Sequence, residues 1–210
     1  MKKKLLILFG LLSLITIINT ISCTKCGDST VYKVVDVYLK QTGVQFNANN
    51  QSPDRLYYFD IFDDTIYYSF YGIYMEPDLQ VASVGELKTS SFGLVSTSYA
   101  CDPVPASTND RIDDIKITAD HDFDDTHPKG SNLAEYFDVV VTYYHTNTNE
   151  EKYDLIEYLK RKPIVPDQLV LILKMKPKQN TYLSFTVKYT QEGSGMSSKT
   201  VKFDAITLTQ

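Results

Sequence analysis

The chain has 210 residues, 21 basic and 26 acidic side chains, a formal net charge of −5 and 43% hydrophobic residues. An acidic balance of this kind argues against nucleic acid or an anionic membrane surface as a partner. The apolar fraction is enough for a packed core without a structural metal, so neither disorder nor a metal-dependent fold is expected.

Lys2, Lys3 and Lys4 open the chain, followed by an apolar run from Leu5 to Ile18 that only Gly10, Ser13 and Thr16 interrupt. A basic start and a short apolar stretch form the pattern of an export signal. The run falls short of the roughly 20 consecutive apolar residues that a permanent span requires. Thr20-Ile21-Ser22-Cys23 resembles the signal box of bacterial lipoproteins, in which a small residue precedes a cysteine that is acylated and becomes the new N-terminus. The resemblance implies cleavage after Ser22 and three acyl chains, palmitate among them, on Cys23. An ordinary signal peptide cleaved nearby is the plainer alternative. More than one chain is what stable anchoring needs, since a buried CH₂ contributes only about 0.8 kcal/mol. Loss of residues 1–22 with their three lysines leaves 18 basic against 26 acidic side chains, or −8. Cys26 and Cys101 then form an even pair in an oxidising compartment, where a disulfide is expected unless the two thiols lie too far apart to meet.

Residues 23–30 are short and polar and read as a tether; residues 31–210 read as one domain. Val31–Leu39 is dense in β-branched and aromatic residues and predicts a strand. Gly43 and residues 47–53 mark turns. Leu56–Phe62 and Ile66–Met75 are the next strands, separated by Asp63-Asp64-Thr65. Leu79–Ser83 and Phe92–Ser96 are weaker strand candidates, and residues 99–109, with two prolines, form a crossing loop. Arg111–Ala119 is a strand with Ile112, Ile115 and Ile117 as its apolar positions, and Asp120–Gly130 an acidic loop. Ser131 is placed to cap a helical turn through Phe137, and Asp138–Tyr144 is a strand.

Asn149–Arg161 is the one helix candidate: Tyr153, Leu155, Ile156 and Leu159 form an apolar stripe, Lys160, Arg161 and Lys162 suit its C-terminus, and Pro163 ends it. Three strands close the chain, over Gln168–Met175, Tyr182–Thr190 and Lys199–Thr207. Between the last two, Gln191-Glu192-Gly193-Ser194-Gly195 signals a hairpin. Many strands between turn residues, with one short helix, predict an all-β sandwich.

Ala100-Cys101-Asp102-Pro103, Arg111 to Ile117, Asp122-Phe123-Asp124, Pro128-x-Gly130 and Leu133 to Phe137 together resemble a group of uncharacterised Bacteroidota lipoproteins of about this length. The resemblance implies an outer-membrane lipoprotein of the cell envelope with an immunoglobulin-like antiparallel sandwich. It carries no catalytic residue over to this chain. The acidic run that accompanies surface display in such bacteria is missing from Thr24 to Asp28, which leaves the periplasmic and surface faces both open.

Among polar clusters, Asp120-His121-Asp122-Phe123-Asp124 stands out. Oxygens from Asp120, Asp122 and Asp124 at i, i+2 and i+4 would suit calcium, as at the start of an EF-hand loop. The pattern then breaks, with Asp125 at the sixth position and Ser131 at the twelfth, and a solvated turn with Asp side chains capping backbone N–H groups is the plainer reading. Zinc on His121 and His127 would need further converging ligands, and His145 is distant. Aromatic density between Tyr57 and Tyr74 offers a contact face for a protein or glycan through Tyr67, Tyr68, Tyr71 and Tyr74, unless alternate residues only fill the core.

There is no nucleophile elbow, phosphate-binding glycine loop or HExxH. Asp63-Asp64 and Asp113-Asp114 are adjacent, so on a strand they would point to opposite faces. The expectation is therefore a lipid-anchored, non-catalytic binding or structural module. The rival is an accessory protein or enzyme of glycan capture and degradation.

Overall fold

Strands dominate the described chain, as its β-branched and aromatic texture demands. The computed structural model describes residues 31–46, 56–83, 107–143 and 147–210. The leader, Cys23, the tether, Cys26, Cys101, His145 and the expected strand Phe92–Ser96 lie outside the described residues. The strands are β1 (Val31–Phe46), β2 (Leu56–Phe59), β3 (Thr65–Tyr67), β4 (Tyr71–Ser83), β5 (Ser107–Thr108), β6 (Arg111–Ala119), β7 (Phe137–Tyr143) and β8 (Asn147–Asp154). After the short helix α1 (Leu155–Leu159) come β9 (Gln168–Leu173), β10 (Thr181–Leu183), β11 (Phe185–Glu192), β12 (Ser198–Lys202) and β13 (Ile206–Thr209). Single 3₁₀ turns occupy Tyr68–Phe70 and Ala134–Tyr136.

One large sheet runs β2-β1-β4-β9-β7-β8, with β5 added in parallel to β1. Two three-stranded sheets, β12-β11-β6 and β10-β13-β3, contribute the facing side chains. A single buried cluster joins Val34, Val37, Ile73, Val139 and Leu171 of the large sheet to Ile115, Ile117, Val187, Ile206 and Leu208 of the small ones. The chain is thus mainly β and folds as a sandwich-like pair of layers. β9, QLVLIL, is buried almost throughout because both its faces are covered. Its outward Val170 and Ile172 pack with Val44, Leu56 and Val140 in a second, smaller cluster. Gly72 permits that contact: a Cβ there would stand 2.8 Å from a Val44 methyl.

Several expected elements are longer, shorter or divided. Gly43 does not turn the chain; β1 continues past it and pairs with both β2 and β4. Phe62–Thr65 is the turn, with Asp63 and Asp64 at φ 55° and 48° and a Thr65 N–H to Phe62 O bond of 3.4 Å. Ile66–Met75 is divided by the 3₁₀ turn at Tyr68–Phe70. Tyr182–Thr190 is divided at Ser184, where the chain passes from one small sheet to the other. Ser131 caps nothing; Asn132 Oδ1 instead accepts from Ala134 N, ahead of the 3₁₀ turn.

The helix expected over Asn149–Arg161 forms only in its second half, and Asn149–Asp154 is strand. β8 pairs antiparallel with β7 through Asp154, and only Leu155–Leu159 coils. The break falls at Asp154, whose Oδ1 accepts from Glu157 N as an N-cap. Sheet pairing overrides helix propensity up to that point, and a Lys152–Asp138 ion pair spans the two strands. On β6, Asp113 is an extra residue between the Asp114↔Thr190 and Ile112↔Gln191 pairs, a β-bulge. It breaks the expected alternation, so Asp113 and Asp114 are both exposed.

At the end of the sandwich where β1 begins, a buried carboxylate ties distant segments together. Asp110, only 2% exposed, accepts from Val34 N on Oδ2 (2.7 Å) and from Ser194 N on Oδ1 (2.8 Å). Its own N–H donates to Thr108 Oγ1, and its carbonyl accepts from Val165 N. The glycines of the β11–β12 hairpin are required by this closeness: a Cβ on Gly193 would lie 1.9 Å from Asp110 Oδ1, and one on Gly195 2.0 Å from Val34 O.

Asp110→Ala strands the buried Val34 N–H and removes the partner of the part-buried Ser194 N–H. It is expected to cost about 2 kcal/mol in denaturant unfolding, with Asp110→Asn costing less because one acceptor survives. A loss below about 0.5 kcal/mol for the alanine variant would refute this role.

Candidate functional site

At the opposite end of β6 the chain enters the acidic loop, and there each carboxylate is engaged by a different piece of backbone. Asp120 Oδ1 accepts from Ser184 N at 2.7 Å while Asp120 N donates to Ser184 O, which holds the chain at the point where it changes sheets. Asp122 Oδ1 accepts from Lys129 N at 2.7 Å. Gly130, at φ +82°, turns the loop back so that its N–H reaches Ala119 O. Phe123 is 1% exposed and seals the loop onto the core.

Asp124 is the centre of a tighter cluster. Its Oδ1 accepts from the N–H groups of Thr126 and His127, and its Oδ2 accepts from Tyr136 Oη at 2.7 Å. His127 places Nδ1 3.1 Å from Asp124 Oδ1 and Nε2 2.7 Å from Glu135 Oε1. Burial works against the charged forms of both residues. The hydrogen bonds of Thr126, Tyr136 and His127 nevertheless hold the Asp124 carboxyl well below its ordinary range. The paired carboxylates likewise raise the His127 imidazole above its own. Burial and the Asp124 charge push the Tyr136 phenol up. The result is an imidazole clamped between two carboxylates that favour its protonated form, and the clamp fastens the loop to the 3₁₀ turn.

The calcium reading therefore meets an obstacle. Asp120, Asp122 and Asp124 turn to Ser184, Lys129 and the Thr126–His127 backbone respectively, and do not converge. Among the described residues no group of three or more His, Cys, Asp or Glu side chains is arranged to hold a metal ion. His121 sits against Asp120, and both ring nitrogens of His127 are engaged within the clamp, so the two imidazoles do not share a zinc site.

Beside the loop lies an open depression of about 650 Å³, walled by Asp122, Asp125, Lys178, Gln179, Asn180 and Tyr182. Lys178 Nζ bonds to both oxygens of Asp125 (2.6 and 2.8 Å), which joins its two walls. Tyr182 presents its ring at 61% exposure. A second depression of about 490 Å³ is lined by Lys40, Gln41, Asp60, Ile61, Lys202 and Phe203, among others. The Lys202 ammonium, which lines the smaller hollow, stands 3.8 Å from Oδ2 of Asp120, the neighbour of His121 in the larger one, so the two hollows approach each other at the Asp120–Lys202 contact.

The aromatic face expected on Tyr67, Tyr68, Tyr71 and Tyr74 is dispersed. Tyr71 is fully buried and stacks on Phe185 at 5.1 Å. Tyr68 is half-buried against the main core. Tyr74 packs on the smaller cluster, edge-on to Tyr58. Only Tyr67 stays exposed: odd- and even-numbered positions of a strand face opposite ways, and the 3₁₀ turn at Tyr68–Phe70 divides the run further. A different aromatic surface replaces it. The Phe59 ring lies across Gly43, Phe70 meets it edge-on at 6.5 Å, Tyr67 packs on Phe70, and Phe62 projects at 76% exposure. Asp110, Tyr136 and Tyr182 had no local signal in the sequence, since their partners come from segments far along the chain.

No family model, curated protein or solved structure matches this chain.

The clamp fixes the sign of a pH dependence. His127, raised above 6.5, stabilises fully below pH 6.5 and loses that contribution as pH rises through its folded value. Asp124, lowered from 3.8, contributes above pH 3.8 and loses its contribution as pH falls. The clamp is therefore most stabilising between these two values. Denaturant midpoints across pH 5 to 9 (about two units either side of neutral) should fall more steeply above pH 6.5 for the wild type than for His127→Gln. Parallel profiles would show that the ring is not held as a cation.

Proposed function

We propose that the protein is a lipid-anchored module of the bacterial envelope, attached through Cys23 and acting by binding rather than catalysis. The observation that carries the reading is the polarity of the domain. β1 starts at Val31, eight residues after Cys23, and its residue Gly43 pairs with Phe59 about 40 Å farther along the strand. The aromatic surface thus belongs to the end remote from the anchor. β6 runs in the same sense, from Asp110 beside Val34 to Ala119 before the acidic loop. Both hollows accordingly lie toward that remote end, where an anchored domain offers its surface outward.

The family resemblance, the immunoglobulin-like form of the sandwich, the outer-membrane location and the Cys26–Cys101 bridge belong to the same proposal. A role in glycan capture is the second reading, and it is favoured specifically by the exposed Tyr182 ring at the rim of a polar hollow.

The intact mass of the protein extracted from a native membrane fraction tests the proposal. A triacylated species beginning at Cys23, two hydrogens lighter than its reduced form, is expected. A soluble, unlipidated chain would overturn the anchored reading.

A further inference from the structure

Resting on the reading of this chain as a binding module, we infer that the two hollows on either side of the Asp120–Lys202 contact form one binding surface for an uncharged oligosaccharide. Three features point to this ligand class, and they come from different parts of the surface.

The first is the Tyr182 ring on β10, the edge strand of its sheet, exposed at the rim of the larger hollow. An exposed flat ring beside hydrogen-bonding groups matches a pyranose, which has an apolar C–H face and a hydroxyl-rich edge. The second is the lining: carboxylates, an ammonium and the side chains of Gln179, Asn180 and Thr181, with Phe123 beneath, supply both donors and acceptors. These walls are already set. Asn180 Oδ1 accepts from Gln210 N, Gln210 Nε2 donates to Pro177 O, and the Asp125–Lys178 pair closes the far side. A ligand would meet little ordering cost.

The third lies in the smaller hollow. Gln41 Oε1 is buried and accepts no hydrogen bond among the described residues. Turning that amide toward a ligand hydroxyl gives up no existing bond at the oxygen, and it relieves an unsatisfied acceptor. Ile61 and Phe203 line the same hollow and supply apolar contact there.

Charge narrows the class. Asp122, Asp124 and Asp125 outnumber Lys178 in the larger hollow, whereas Lys40 and Lys202 balance Asp60 and Asp204 in the smaller one. An anionic chain such as a uronate or sulfated polymer would be repelled at the first and gain nothing at the second. Two adjoining hollows fit a chain of several sugar units better than a single sugar.

Titration calorimetry on the detergent-extracted, full-length protein tests this, with neutral gluco-, xylo- and manno-oligosaccharides of two to six units and polygalacturonate as the anionic probe. Saturable binding that strengthens with chain length is expected from at least one neutral series, with none to polygalacturonate. Tyr182→Ala should weaken it about three- to tenfold and Tyr182→Phe should restore it, since the ring and not the hydroxyl makes the contact. Lys202→Ala should weaken long oligosaccharides more than disaccharides. Absence of binding by every neutral series, preference for polygalacturonate, or indifference to Tyr182→Ala would each overturn the inference. Its failure is separable from that of the anchored reading: a triacylated chain that ignores sugars sinks only this inference, and a soluble chain that binds them sinks only the anchor.

Discussion

A carboxylate taken out of water must be given donors, and Asp110 receives them from segments that are otherwise unconnected. Val34 lies in the large sheet, Ser194 in a hairpin of a small one, and Gln191 approaches the same oxygen at 3.5 Å. Tyr189 Oη extends the network by donating to Gln191 Oε1. The group is compensated by backbone N–H donors, so its burial costs less than that of a bare ion and its removal costs more than the loss of one bond. The hairpin must approach to within contact of Asp110 and Val34, and only residues without a Cβ allow it. Gly193 and Gly195 are therefore consequences of Asp110.

The remote end uses carboxylates differently. Asp120, Asp122 and Asp124 are partly solvated; Asp122 and Asp124 organise turns by accepting nearby N–H groups, whereas Asp120 accepts from the distant Ser184. Asp120 has the longest reach of the three, because its bonds to Ser184 hold the point at which β10 gives way to β11. The loop is ordered by its own acids. Backbone donors take up one oxygen of each of these three carboxylates.

What could be read from the sequence follows from range. Strand identity is local, carried by alternation such as Leu183, Phe185, Val187 and Tyr189, all of which are buried as that pattern requires. The hairpin at Gly193–Gly195 was equally legible from its turn residues. Sheet membership was not: Ser184 sits inside one unbroken alternation, and only a partner 64 residues away shows that the strand changes sheets there. The helix expected over 149–161 forms only at Leu155–Leu159, which holds Leu155, Ile156 and Leu159 of its apolar stripe; the residues before the cap at Asp154 pair with β7, a partner that no local pattern announces. The acidic loop was visible as a cluster, but its meaning depended on Tyr136 and Glu135, which lie beyond it.

The aromatic run from Tyr57 to Tyr74 brings the two ends together in one argument. Three of its nine aromatic residues, Tyr68, Tyr71 and Tyr74, pack into or against the cores, and in doing so they anchor the rest. Phe59 can lie exposed across Gly43 because that residue leaves its face of β1 bare, and Phe70 and Tyr67 then pack against one another in sequence. An apolar surface built this way is positioned by the sheet beneath it and does not have to be ordered at the moment of contact. The end near Val31 spends its polar groups on closing itself. The other end leaves rings and hydrogen-bonding groups facing solvent on a frame that is already fixed.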